Sequence, residues 1–126
     1  MESLIFPDAK AAARDYLAGH LPVNVVSRVP KTRPEGFVRL LNAGGAGLTG
    51  VVFSEVALTV ESWDNNEATA ASRAQLIRDL LRRAHMMAGH PVYGYTEWGP
   101  PVDLPDESEQ YRYVWTFTIR MRPVPN

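Results

Sequence analysis

The chain has 126 residues, 45% hydrophobic and 21% charged, with 13 basic and 14 acidic side chains. One domain of that size buries roughly two-thirds of its unfolded surface, so a core forms without staples, and disorder and collagen-like repeats are excluded. The lack of cysteine excludes disulfides, thiolate metal sites and a cysteine nucleophile, and a net charge of −1 speaks against a dedicated nucleic-acid binder.

Arginine supplies 11 of the 13 bases; Lys10 and Lys31 are the others. Arginine is enriched and lysine depleted at protein interfaces, and near-zero net charge favours self-association. The N-terminus, Met1-Glu2-Ser3-Leu4-Ile5-Phe6-Pro7-Asp8, has neither the basic start nor the long apolar run of a signal peptide. No apolar run approaches the roughly 20 residues of a membrane span. The expectation is a soluble protein in the compartment where it is made, without membrane contact.

Pro7-Asp8 opens a predicted helix over 7–18, with Ala9, Ala12, Ala13, Tyr16 and Leu17 at helical spacing and Gly19 as its stop. Val23–Ser27 reads as a strand. Pro30 and Pro34 bracket a basic loop with Arg28, Lys31 and Arg33, and Phe37–Leu41 reads as the strand that completes a hairpin. Residues 42–50, Asn-Ala-Gly-Gly-Ala-Gly-Leu-Thr-Gly, read as a mobile loop. Phe53–Trp63 is a long strand with Val56, Leu58 and Val60 facing inward and Glu55, Thr59 and Glu61 facing water or a partner.

Asn65 or Asn66 caps a second helix predicted over 68–88, with Ile77, Leu80, Leu81, Ala84, Met87 and Ala88 as its apolar stripe. Pro91–Trp98 reads as a strand and Gly99–Glu109 as a proline-rich acidic loop. In the last strand Tyr113, Trp115, Phe117, Ile119 and Met121 alternate with Arg112, Thr116, Thr118, Arg120 and Arg122. The order α-β-β-β-α-β-β predicts one α+β domain, a mostly antiparallel sheet of about five strands with two helices on one face.

Gly45-Ala46-Gly47-Leu48-Thr49-Gly50 has the glycine spacing of a dinucleotide fingerprint, but that chemistry needs a helix after the loop. A strand follows here. His20, His85 and His90 lack the spacing of a zinc pair, and Asp103, Asp106, Glu107 and Glu109 lack the ligand pattern of a calcium loop. No Gly-x-Ser-x-Gly elbow places a nucleophile. No catalytic residue, cofactor or metal is expected. Arg28, Lys31, Arg33 and Arg39 near the presumed hairpin, and Arg112, Arg120 and Arg122 on the last strand, suit either a solvated face or a subunit interface. In the second case Glu55, Glu61 or the 103–109 acids are partners. Trp115 belongs to the core. Trp63 and Trp98, at element ends, are candidate exposed anchors.

Over nearly its whole length the chain resembles the tail terminator proteins of long-tailed (siphovirus-type) bacteriophages, especially those of actinobacterial phages. The resemblance lies in the N-terminal helix, Val26-Ser27-Arg28-Val29-Pro30-Lys31-Thr32-Arg33-Pro34, Phe37-Val38, the Gly44-Gly45 pair and Val60-Glu61-Ser62-Trp63. It continues through the Ala-rich helix from Ala68, Gly99-Pro100, Pro105-Asp106 and Tyr111-Arg112-Tyr113. It implies a structural virion protein at the junction of tail and neck, assembled in the host cytoplasm. Such proteins form a hexameric ring that caps the tail tube, ends its growth and docks the neck, with genomic double-stranded DNA passing through the channel. The implied partners are further copies of the chain, the tail tube protein and a neck or head–tail connector protein.

On that reading Arg28, Lys31, Arg33, Arg39 and Arg112, with Trp63 and Trp98, are expected in subunit or neck contacts. Asp103, Asp106, Glu107 and Glu109 are expected to face the lumen or the tube, where negative charge lets DNA slide. The alternatives are another head–tail connector or head-completion protein, a small enzyme using the Gly-rich loop, and a DNA-binding module.

Overall fold

Two long strands of alternating apolar and polar residues dominate the chain, and they pair with each other at the centre of the sheet. The computed structural model describes residues 4–49 and 53–125. Met1–Ser3 of the N-terminal segment and Gly50 of the Gly-rich run lie outside them. The elements in order are β1 (Leu4–Ile5), α1 (Ala9–Ala18), β2 (Asn24–Val26), β3 (Gly36–Thr49), β4 (Phe53–Asp64), α2 (Glu67–Arg83), β5 (Met86–Met87), β6 (His90–Glu97), β7 (Val102–Asp103), β8 (Tyr111–Met121) and β9 (Val124–Pro125). The main sheet runs β2-β3-β4-β8-β6-β5, with β7 also on β8; β1 and β9 form a separate antiparallel pair. This is the expected α+β architecture, with more short strands than the sequence shows.

Both helices cover one face. The register sets Leu40 opposite Val60, Val60 opposite Trp115, and Leu58 opposite Phe117. These side chains share one buried cluster with Ala9, Ala12, Ala13 and Leu17 of α1 and Ala74, Ile77, Leu80 and Leu81 of α2. Alanine at the helix contacts removes bulk and lets the helices sit close to the sheet. Asp8 caps α1 by accepting from the Ala11 amide at 3.1 Å, so Pro7 precedes the helix instead of opening it. Asn66 caps α2 by accepting from the Thr69 amide at 3.0 Å, and Arg82 and Arg83 complement the dipole in its last turn.

Four expectations are corrected. First, α2 ends at Arg83, not Ala88. Ala88 and Gly89 both have positive φ, 50° and 81°, which is the two-residue turn of a tight hairpin between β5 and β6. Met87 is fully buried from that strand instead of from a helix. Second, β2 and β3 are parallel, so the basic loop is a return and not a hairpin turn. A three-residue strand is only about 10 Å long, and residues 27–35 cover that distance without a helix.

Third, the described part of the Gly-rich run is strand. β3 continues to Thr49, with register shifts between Asn42 and Gly44 and between Gly44 and Gly47. Gly44, Gly45 and Gly47 have φ of 94°, 105° and 79°, which absorb the bulges. Fourth, the second face of β4 is not uniformly wet: Ala57, Glu61 and Trp63 on it are buried.

Gly45 presses against β4. A Cβ there would lie 2.7 Å from both the Ala57 nitrogen and the Glu55 oxygen. Clash and positive φ add up, so Gly45→Val is expected to cost about 2–4 kcal/mol. Urea unfolding of the variant checks this, and Gly44→Ala, where a Cβ meets nothing within 4 Å, should cost less.

Candidate assembly surface

The sheet face away from the helices carries Phe37 and Arg39 of β3, Trp63, Glu61, Thr59 and Glu55 of β4, and Arg112, Val114, Thr116, Thr118 and Arg120 of β8. No helix packs there, so its polar side chains must satisfy one another or meet solvent. At one end they satisfy one another. Trp63 stacks on Phe37 with ring centroids 5.2 Å apart. The guanidinium carbons of Arg33 and Arg112 lie 5.2 and 5.1 Å from the Trp63 ring centroid. The indole is left 1% exposed.

Glu61 meets this stack at the N–H edge of the indole. Its Oε1 accepts from the Trp63 indole at 3.2 Å and from Arg39 at 3.4 Å, and its Oε2 is 3.9 Å from Arg112. One buried carboxylate thus serves an indole and two guanidiniums, which is what permits its burial. Arg39 Nε also donates to the Ser27 carbonyl at 3.3 Å.

Two loops are tied down over the same spot. Arg33 donates to Asp106 at 2.9 Å, and the Ser108 amide donates to the same carboxylate at 3.1 Å. The hydrogen bond from Arg33, followed by those from Ser108, holds the Asp106 carboxyl far below the usual carboxylate range. Gln110 Nε2 donates to the Pro34 carbonyl at 2.9 Å. Arg112 Nε donates to the Leu104 carbonyl at 3.0 Å while the Leu104 amide donates to the Arg112 carbonyl at 2.9 Å.

The other charged networks are also internal. On the helix side, Arg78 donates two bonds to Glu97, at 2.6 and 2.5 Å. Tyr95 donates to Glu97 at 2.7 Å and accepts from the Trp115 indole at 3.1 Å. Burial, then the neighbouring carboxylate, raises the Tyr95 phenol above its ordinary value, and the Arg78 hydrogen bond lowers Glu97. A cleft of about 620 Å³ lies between the start of α2 and the β2–β3 end of the sheet. Its Asp64 and Arg73 pair at 2.9 Å, so they neutralise each other.

The expected site residues therefore separate. Arg33, Arg39 and Arg112 are brought together, but around Trp63 of their own chain. Trp63 is not the exposed anchor the sequence suggests, because it falls on a face where β3 and β8 flank it with an aromatic and two arginines. Asp106 is spent on Arg33 and is no free lumen charge. Arg28 and Lys31 are exposed and, among the described residues, make no ion pair within 4.0 Å. Asp103, Glu107 and Glu109 are exposed and likewise unpaired among the described residues. Trp98 is exposed, as expected. Sequence reasoning misses Gln110, Val102 and Leu104; the long-range pairing that gives them a role leaves no local signal.

Among the described residues no group of three or more His, Asp or Glu is placed to hold a metal, and no helix is long and apolar enough to cross a membrane. His20 Nδ1 pairs with the Tyr16 carbonyl at 2.8 Å, and His85 is exposed. The 45–49 segment runs strand to strand, so the phosphate cradle that a nucleotide needs is not formed there.

Removing the buried ring that Phe37 and the two guanidiniums pack against should be costly: Trp63→Ala is expected to lower stability by about 3–5 kcal/mol in denaturant titration. The Asp106 carboxyl is lowered on folding, so its contribution is present above the unfolded value and is lost as pH falls. Acid unfolding followed by fluorescence should show less loss of stability below about pH 4 in Asp106→Asn than in the parent chain.

No family model and no curated protein matches the sequence. Chains of solved structures do match. One belongs to the virion of a native gene transfer agent (GTA) particle; it superposes with a TM-score of 0.67 over 90% of this chain and 93% of that one, at 18% identity. Coverage of nearly all of both chains, at so low an identity, shows that the two share a fold.

Proposed function

We propose that this chain is a structural protein of a phage-like virion. Copies of it would form a ring that caps the tail tube, ends its polymerisation and joins the tail to the neck, with DNA passing through the channel. The observation that carries the reading is the fold shared end to end with a chain of a gene transfer agent virion. The terminator role adds to this the resemblance of the Arg28–Pro34 and Gly44-Gly45 segments to tail terminators. Exposed Arg28 and Lys31, free of partners among the described residues, are the bases available for neck or subunit contacts. The ring would suit a stop function, since identical head-to-tail contacts close on themselves and leave two unlike faces, one for the tube and one for the neck.

Purified protein added to growing tail tubes, viewed by negative-stain electron microscopy, should give six-fold rings at tube ends and arrested tube length. Tubes that grow on uncapped, with the protein instead retained on neck or portal complexes in a pull-down, would reassign it as a connector.

A further inference from the structure

The helix-free face changes character along its β6–β7 edge. The Trp98 amide donates to the Thr116 carbonyl, Val102 pairs with Val114, and the Leu104 amide donates to the Arg112 carbonyl. Arg112, Val114 and Thr116 all point away from the helices, so Trp98, Val102 and Leu104 do too. They are 62%, 57% and 48% exposed. Isolated exposed apolar residues are ordinary, but three along one edge, one of them tryptophan, are the composition of an interface core. Exposed Glu107 and Glu109 follow Leu104 in the next loop, and neither has an ion-pair partner among the described residues, while Asp103, opposite Tyr113, belongs to the helix side.

A patch of matching character lies elsewhere on the same chain. Leu76, Asp79 and Arg83 fall at helical spacing on the solvent side of α2, with Arg82 beside them and Met86 just beyond the helix end. Leu76 and Met86 are 45% and 49% exposed. The Arg82 and Arg83 side chains are 64% and 59% exposed and share one carboxylate, Asp79, so the patch keeps excess positive charge. The two patches lie on opposite faces of the sheet. Met86 and Val102 also lie toward opposite ends of β8, beside Met121 and Val114, roughly 23 Å apart along the strand. They cannot meet within one chain.

We infer that the Trp98–Val102–Leu104 patch with its acids docks on the Leu76–Met86 patch with its arginines in a second copy of this chain. The occupant is a second copy because both halves of the complement, apolar against apolar and acid against base, are carried by one sequence. The contact is head-to-tail, the kind that closes into a ring. This deepens the assembly reading and rests on it, and it places Glu107 and Glu109 at a subunit contact instead of a lumen.

The test is a charge swap between copies, with mass followed by light scattering across concentration. One variant carries Glu107→Lys and Glu109→Lys, the other Arg82→Glu and Arg83→Glu. Each alone should associate at least about tenfold more weakly than the parent. An equimolar mixture should regain assembly, since every contact can then pair unlike charges. Trp98→Ala, which leaves the core untouched, should weaken association as strongly, and unchanged circular dichroism and melting of each variant establish that it is folded. A parent chain monomeric at every concentration overturns the inference. So do variants that assemble like the parent, or a mixture that stays apart. If rings still cap tubes while the swap has no effect, the surface is wrong and the terminator reading stands.

Discussion

Glu61 occupies the face of β4 that no helix covers, and much of the molecule's arrangement depends on how its charge is met. A carboxylate only 7% exposed is tolerable only where donors surround it. Two donors and one further charge meet it: Trp63 two residues along the same strand and Arg39 on β3 donate to it, and the Arg112 guanidinium on β8 lies 3.9 Å away. The backbone ladders pair the two strands beside β4; meeting that one charge draws side chains from both of them together and helps orient the indole on which Arg33 and Arg112 also rest. The segments 27–35 and 104–110, which have little regular backbone pairing, take their positions from those same arginines. Here a buried charge organises loops and a hydrophobic core organises strands, on opposite sides of one sheet.

The elements with strong period were legible in the sequence: β4, β8 and the body of α2 lie where alternation and the apolar stripe put them. The misreadings share a cause. Met87 fits the helical stripe of α2 by spacing, yet the chain has already turned at Ala84 and buries Met87 from a strand. The Gly44–Gly47 run reads as a loop because glycine has little local preference, and only β4 alongside makes it a strand. The β2–β3 pairing is parallel because β2 is short enough for a plain return, a matter of length and not of composition.

The candidate site was legible in kind and not in place. Arg33, Arg39 and Arg112 stand out in sequence as interface formers, and the structure does use them for charge pairing and ring stacking, but inside the chain. Sequence separations of 30 between Arg33 and Trp63, and 49 between Trp63 and Arg112, hide the cluster from any local pattern. With these arginines engaged, the surface left for partners is narrower: the two bases of the return loop, the apolar edge with its acids, and the outer side of α2.

β6, which the two-residue β5 flanks only at its start, leads into Trp98 along a broken edge. Gly94 interrupts its ladder with a positive φ of 73°, and Gly99-Pro100-Pro101 interrupt the edge again before β7. Such an edge offers no continuous row of donors and acceptors to a foreign strand. At the other side of the sheet the glycine bulges of β3 have the same effect. A bare strand edge can add foreign strands without end, and these interruptions of the ladder work against such stacking. Any contact made along this edge would then rest on side chains, whose shapes are specific, more than on the backbone.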